Sequence, residues 1–98
     1  MIHLYGNRNC DESSESKALL FKKTNCFIYY PLDNGIDEAI SKHNLSELYR
    51  GRSTPLLVDF SLNREKLLKE DICEVNEIEI GGLEDLKSYL KNYNIKKT

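Results

Sequence analysis

The sequence predicts one small α/β domain, and three observations support this fold class. Apolar runs of strand length alternate with segments of helical periodicity along nearly the whole chain. The chain has 98 residues, of which 40% are hydrophobic and 31% charged, which is typical of a folded protein with a single core. Turn residues separate the runs, at Gly6, at residues 33–35 and at Gly81 with Gly82.

The first half of the chain reads as strand, helix, strand. Residues 1–5 alternate apolar and polar side chains and end at Gly6, which predicts a short strand followed by a turn. Residues 10–23 are rich in Glu, Lys, Ala and Leu and predict a helix. We expect this helix to bury Ala18, Leu19 and Phe21. Residues 26–32 are β-branched and aromatic and predict a second strand, parallel to the first in a right-handed βαβ unit.

The second half adds a helix, two strands and a final helix. Residues 36–49 predict an amphipathic helix with some irregularity around Asn44. Residues 55–60 and 74–80 predict strands, and the segment after Gly82 predicts the last helix. The first of these helices has Ile36, Ile40, Leu45 and Leu48 near one side. In the last, which we expect to cover the sheet, the recurring apolar side chains are Leu83, Leu86, Leu90 and Tyr93. The predicted order is therefore β-α-β-α-β-β-α.

Charge and cysteine content exclude several function classes. Fourteen Lys and Arg residues against sixteen Asp and Glu residues give a net charge of −2, so nucleic acid is not an expected partner. The sequence shows neither a secretory signal nor about 18 consecutive apolar residues, which predicts a cytoplasmic protein without a membrane partner. Three cysteines without a Cys-x-x-Cys pair, and two distant histidines, predict neither a disulfide framework nor a metal site.

Three motifs suggest a family. They are "MIHLYGNRNCDESSESKALL" at residues 1–20, "RSTP" at residues 52–55 and "IGGLEDL" at residues 80–86. In their order and spacing they resemble the glutaredoxin family. The resemblance implies a single glutaredoxin-like domain over residues 1–98, of the thioredoxin-like (glutaredoxin) type. It would have a four-stranded mixed sheet flanked by helices and an insert, at about residues 61–73, between the last two strands.

The resemblance also implies a site. Cys10 would be the nucleophile, Pro55 would follow a cis peptide bond, and glutathione would be the co-substrate. Partners would be glutathione and disulfide-containing or glutathionylated proteins, and the protein would be a monomer. The residues implied in glutathione binding are Arg52, Ser53, Thr54, Pro55, Gly81, Gly82, Leu83, Glu84 and Asp85.

The chemistry at Cys10 depends on opposing charges. A helix N-terminus lowers the pKa of a cysteine below its free value of about 8.5, and Arg8 acts in the same direction, whereas Asp11 and Glu12 oppose both. Ser13 stands where a dithiol relative carries its second cysteine and cannot attack a mixed disulfide, so the site would be monothiol. We count Arg8 and Ser13 as supporting residues.

A local alternative explains the same stretch without catalysis. Asn9 followed three residues later by Glu12 resembles a capping box, and in that interpretation Cys10 is only a residue of the first helical turn.

Two regions depart from the family pattern. The family's lysine three residues before the cysteine is Asn7 here, and Arg8, Arg50 or Arg52 could substitute for it. The insert predicts a short helix at about residues 63–69, serving as a surface excursion or, alternatively, as a lid or partner-docking element. Cys26 and Cys73 are expected to be buried small apolar residues; Cys73 is the better of the two as a candidate to resolve Cys10.

Three functions therefore remain open. The leading hypothesis is a glutathione-dependent thiol–disulfide oxidoreductase that uses Cys10. The second is a redox-inactive binding or adaptor module on the same fold, with its partner contacts in the insert. The third is an iron–sulfur cluster carrier, in which two subunits share a cluster through their cysteines and two glutathiones; the acidic Asp11 and Glu12 disfavour it.

Overall fold

A computed structural model describes residues 1–24 and 26–91. It contains a four-stranded mixed sheet in the order β2-β1-β3-β4, with helices on both faces, which confirms the predicted α/β architecture. The strands are β1 Ile2–Asn7, β2 Phe27–Leu32, β3 Leu56–Leu62 and β4 Val75–Gly81. The helices are α1 Asp11–Lys23, α2 Ile36–Lys42, α3 Arg64–Glu70 and α4 Leu83–Lys91, with a 3-10 turn at Glu47–Tyr49. Tyr93, predicted in the last helix, lies outside the described residues.

The strand directions place several chain connections at one end of the sheet. β1 and β2 are parallel, and β3 is antiparallel to both of its neighbours, β1 and β4. Tyr5 near the end of β1 lies opposite Leu56 at the start of β3, and Leu57 lies opposite Gly81 at the end of β4. The segment after β1, the segment before β3 and the segment after β4 therefore meet at the same end of the sheet.

Each face of the sheet carries its own hydrophobic cluster. Helices α1 and α4 cover one face, where the buried cluster is Ile2, Leu4, Leu20, Leu57 and Leu86. Helix α2 and the 3-10 turn cover the other face, where the cluster is Tyr5, Leu32, Ile36, Ala39, Ile40, Leu45, Tyr49, Leu56 and Val58. Because β1 and β3 contribute side chains to both clusters, these two central strands connect the layers.

The expectation for the buried face of α1 was wrong for two of its three residues, because only Leu19 is partly buried and packs against the core. The structure buries Ser13, Ser16 and Leu20, whereas Ala18 is exposed and Phe21 is 64% exposed. The cause is a close approach of the helix to β1: a Cβ atom added to Gly6 would lie 2.9 Å from the Cβ of Ser13. Small side chains at the contact permit this approach, and they override the preference for burying larger apolar groups.

The second predicted helix is shorter than expected. It ends at Lys42, and Asn44 then adopts a left-handed conformation with φ of 55°, which stops the helix. The chain continues into the 3-10 turn, where Tyr49 is buried and Leu48 is 83% exposed. The prediction that Leu48 shares one apolar side with Ile36, Ile40 and Leu45 was therefore wrong. After the helix breaks at Asn44, Tyr49 takes the core position and its aromatic side chain is buried.

The insert lies far from the connections at the start of β3. Its predicted helix is present as α3, and the Asn63 side chain caps it by accepting a hydrogen bond from the Lys66 N–H at 3.2 Å. β3 has seven residues and runs away from Pro55, which places the insert about 20 Å from that end of the sheet. A lid over Cys10 is therefore not formed by the insert. Cys26 and Cys73 are exposed, so the expectation that both are buried was wrong.

Tyr5 and Tyr49, both buried on the face of the sheet that α2 covers, make the stability of the fold depend on pH in alkaline solution. Burial first, and the Glu77 carboxylate after it, raise the pKa of Tyr49 to about 12; burial is also the main cause that raises the pKa of Tyr5 to about 12. Between pH 10 and pH 12 the folded state keeps protons that the unfolded state loses, so the free energy of unfolding falls as pH rises. We expect urea midpoints to fall across this range, and to fall less steeply for Tyr49→Phe. Equal slopes for the two proteins would contradict this assignment.

Candidate functional site

Cys10 connects the end of β1 to the start of α1. Its backbone is extended, with φ of −101° and ψ of 118°, and it occupies the N-cap position of the helix. The Cys10 N–H donates to the Asn7 carbonyl at 3.0 Å, and the Cys10 carbonyl accepts from the Ser14 N–H at 3.1 Å. Asn9, predicted as the N-cap, instead donates its N–H to the Asn7 side chain at 2.9 Å, so the predicted capping box was wrong.

Neighbouring hydrogen-bond donors lower the pKa of the Cys10 thiol. The largest cause is the Ser13 hydroxyl, opposed by partial burial; the N–H groups of Ser13 and Glu12 and the Thr54 hydroxyl also lower it. All of these donors favour the thiolate form. The carboxylates of Asp11 and Glu12 do not reverse the direction of the shift. Arg8, predicted to support the thiolate, is not among the described groups that lower this pKa.

Ser13 links the thiol to the end of β1. Its side chain is completely buried, and its Oγ accepts a hydrogen bond from the Asn7 N–H at 3.1 Å. The same hydroxyl carries one proton, which it can donate to the sulfur of Cys10. Ser13, predicted as a supporting residue from its sequence position alone, therefore lies where it can fix both the backbone before Cys10 and the charge of the thiol.

Removing this hydroxyl should raise the pKa of Cys10. We expect Ser13→Ala to move it toward the value of a free cysteine, and Thr54→Val to move it less, because the Thr54 hydroxyl is a smaller contributor. The pH dependence of Cys10 alkylation, in a Cys26→Ser and Cys73→Ser background, measures both values. Ser14→Ala is the matched control because Ser14 is the exposed neighbour of Ser13. An unchanged pKa in Ser13→Ala would contradict the assigned cause.

The start of β3 lies beside Cys10. The Thr54–Pro55 peptide bond is cis, as the resemblance implied, and Pro55 is buried. Thr54 is half-buried and is a donor to the sulfur, whereas Ser53 is exposed. Gly82 completes this group, since a Cβ atom added there would lie 3.8 Å from the Pro55 carbonyl oxygen. Cys10, Thr54, Pro55 and Gly82 are thus brought together from three connections at one end of the sheet.

The start of α4 has its own internal capping arrangement. Gly81 has φ of +113°, and a side chain there would meet the Asp85 carboxylate. The Gly82 N–H donates to Asp85 Oδ2 at 3.0 Å, which corresponds to one half of a capping box. The Leu83 side chain is buried in the core, so only its backbone is available to a ligand. Glu84 is exposed, and its carboxylate lies 3.3 Å from Lys87 Nζ.

Two of the three candidate arginines are already paired. Arg52 lies 2.7 Å from the Glu79 carboxylate of β4, and Arg50 lies 2.7 Å from that of Glu47 and 3.8 Å from that of Asp37. Arg8 is exposed, and within residues 1–24 and 26–91 it forms no ion pair. Among the three arginines, Arg8 therefore has its guanidinium available for an anionic ligand.

A cleft lies between α1 and β2 and was not predicted from the sequence. Its lining residues are Arg8, Ser14, Lys17, Tyr29 and Pro31, and its volume is about 580 Å³. Lys17 Nζ lies 4.7 Å from the centroid of the Tyr29 ring, within the range of a cation–π contact. The sequence feature that could have predicted this cleft is the helical spacing of Cys10, Ser14 and Lys17, which places the three residues in one row along α1.

Comparisons with known proteins found no match from which a function could be inferred. The sequence matches no protein-family model, no curated protein and no solved structure. In the described part of the chain, no cluster of three His, Cys, Asp or Glu side chains could hold a metal ion. No helix within the described ranges has the length and apolar character to cross a membrane.

Proposed function

We propose that this protein is a glutaredoxin-like, glutathione-dependent thiol–disulfide oxidoreductase with a thioredoxin-like fold and a monothiol mechanism. The observation that carries the proposal is the environment of Cys10. Its sulfur lies at a helix start among the hydroxyls of Ser13 and Thr54 and two backbone N–H groups, all of which favour the thiolate. The cis bond before Pro55 and the mixed four-stranded sheet agree with the resemblance carried by the sequence motifs.

The proposed reaction transfers glutathione from a mixed disulfide to Cys10. The Cys10 thiolate attacks the glutathione sulfur of a glutathionylated substrate, forming a new S–S bond as the original S–S bond breaks. The electron pair leaves with the substrate sulfur, which takes a proton from water. A second glutathione thiolate then attacks the glutathione sulfur on Cys10, which produces glutathione disulfide and regenerates the Cys10 thiolate. The substrate is reduced and glutathione is oxidised, without a second protein thiol.

The surrounding segments match the groups of glutathione. The backbone of residues 53–55 would hold its cysteine, and the N–H groups at the start of α4 would receive the γ-glutamyl carboxylate, because helix N-termini favour anions. Asp85 would accept the γ-glutamyl ammonium.

Alkylation of Cys10 tests this proposal directly. In the Cys26→Ser, Cys73→Ser background, we expect an apparent Cys10 pKa below that of a free cysteine, and slower alkylation in the presence of glutathione. S-methylglutathione should also slow alkylation, because it can occupy the site but cannot exchange disulfides. A pKa at or above 8.5, without protection by either compound, would overturn the proposal and indicate a redox-inactive binding module.

A further inference from the structure

The cleft between α1 and β2 has a positive side that the proposed reaction does not use. It lies next to Cys10, because Arg8 precedes the cysteine by two residues and Ser14 follows it by one helical turn. Lys17 Nζ contacts the Tyr29 ring, and no described carboxylate lies within ion-pair distance of it or of the Arg8 guanidinium. Two cations without an acidic partner therefore line the cleft.

The charges of α1 are divided between its sides. Cys10, Ser14, Lys17 and Phe21 follow the spacing of one helical row, and contacts to Tyr29 and Phe27 place this row against β2. Asp11 and Glu15 project from a different side of the helix by the same periodicity. Leu19 and Lys23 line the separate groove between α1 and α4. The positive row thus faces β2, and the Asp11 and Glu15 carboxylates are turned away from it.

This cleft lies on the opposite side of Cys10 from the segments proposed to hold glutathione. Those segments belong to the start of β3 and the start of α4, and β3 and β2 lie on opposite sides of β1 in the sheet. Bound glutathione would therefore leave the cleft between α1 and β2 free. The polypeptide part of a glutathionylated protein would then be able to contact this cleft.

Beyond the cleft, the same helical row of α1 ends at an aromatic pair. The Phe21 and Phe27 rings form an edge-on pair with centroids 4.9 Å apart, and Phe21 is 64% exposed. The row from Cys10 to Phe21 spans eleven residues of rise on α1, about 16 Å, which an extended peptide covers in about five residues. The surface therefore offers, in order from the thiol, positive charge and then an apolar contact.

We infer that the cleft between α1 and β2 binds an acidic segment of the protein substrate, with carboxylates two or three residues from the reacting cysteine and an aromatic side chain about five residues from it. This inference rests on the proposed function, because it supplies the protein half of the substrate. Charge complementarity selects the acidic residues, and the exposed Phe21 ring selects the aromatic one. The number of residues between the reacting cysteine and the aromatic side chain of the substrate follows from the distance between Cys10 and Phe21 along α1.

Binding of an unreactive peptide tests the docking without the redox step. The probe is a fluorescein-labelled Phe-Ala-Glu-Glu-Ala-Ser-Ala-Glu-Glu-Ala-Phe peptide, whose symmetry covers both chain directions and whose central serine replaces the cysteine. Its counterpart carries lysine at the four glutamate positions. At low salt we expect the protein to bind the glutamate peptide about tenfold more tightly in fluorescence anisotropy, and Lys17→Glu to remove this preference.

Lys23→Glu is the matched control. It makes the same charge change six residues further along α1, on the side that faces α4, and should leave the peptide preference intact. Equal binding of the two peptides, equal effects of Lys17→Glu and Lys23→Glu, or equal competition by inorganic phosphate and the unlabelled peptide would each overturn the inference. Retained peptide preference without glutathione protection of Cys10 would refute the proposed oxidoreductase function while supporting the docking surface.

Discussion

Cys10→Ser is expected to reduce glutathione-dependent thiol transfer to the uncatalysed rate. The serine hydroxyl keeps the size of the side chain but forms no disulfide, so the mixed disulfide with glutathione cannot be made. Reduction of a glutathione–mercaptoethanol mixed disulfide, coupled to glutathione reductase, measures the rate. Since a nucleophile supports the whole covalent pathway, its loss should exceed the effect of any neighbouring hydrogen-bond donor.

Cys26→Ser and Cys73→Ser are the controls for this variant. Both cysteines are exposed, and they precede the starts of β2 and β4, at the end of the sheet opposite Cys10. Their thiols are too far away to exchange with a Cys10 mixed disulfide in the folded protein. Both variants should keep nearly full activity, and a comparable loss in all three would refute the assignment of Cys10 as the nucleophile.

Leu57→Ala should cause the largest loss of stability among single changes in the core. Leu57 is fully buried in central strand β3, opposite Leu4 of β1, and packs in the cluster beneath α1 and α4. Its truncation leaves a cavity on the face that supports both helices at the site, at a cost of about 2–5 kcal/mol. A small domain has a total stability of about 5–15 kcal/mol, so urea unfolding should show a large drop in midpoint.

Leu68→Ala provides the comparison at an exposed position. Leu68 lies on α3 in the insert and is 84% exposed, and alanine favours helix at least as well as leucine. Its urea midpoint should change little, by an amount equivalent to less than about 0.5 kcal/mol. Similar midpoint shifts for Leu57→Ala and Leu68→Ala would mean that the cluster beneath α1 does not dominate stability.

The sequence was most informative for the last two strands, whose hydrophobic patterns are clear. The alternation in residues 74–80 and the apolar run in residues 55–60 predicted two strands within two residues of their observed ends. The buried face of α1 was not predictable in this way, because it depends on the close approach of Ser13 to Gly6, and helical periodicity alone ranks Phe21 above serine. The early end of α2 depends on one left-handed residue, Asn44, which no hydrophobic pattern encodes.

From the sequence, only the three chain segments that form the site could be predicted. Motif order placed Cys10, Thr54 and Gly82 on three segments, and the topology of the sheet brings them together. The pairing of Arg52 with Glu79 was not visible in the sequence, because it depends on the start of β3 and the register of β4. The dominant effect of the Ser13 hydroxyl on Cys10 likewise depends on how α1 begins, which the predicted Asn9 cap had placed one residue too early.

The location of the insert makes it an attachment point for reporters. Cys73 lies in the insert, is exposed, and is separated from Cys10 by about the length of β3. In a Cys26→Ser protein with Cys10 held as its glutathione mixed disulfide, a dye coupled to Cys73 would follow the molecule in solution without blocking the thiol end of the sheet. The same separation allows residues 63–73 to change in length or composition during evolution while the groups around Cys10 keep their arrangement.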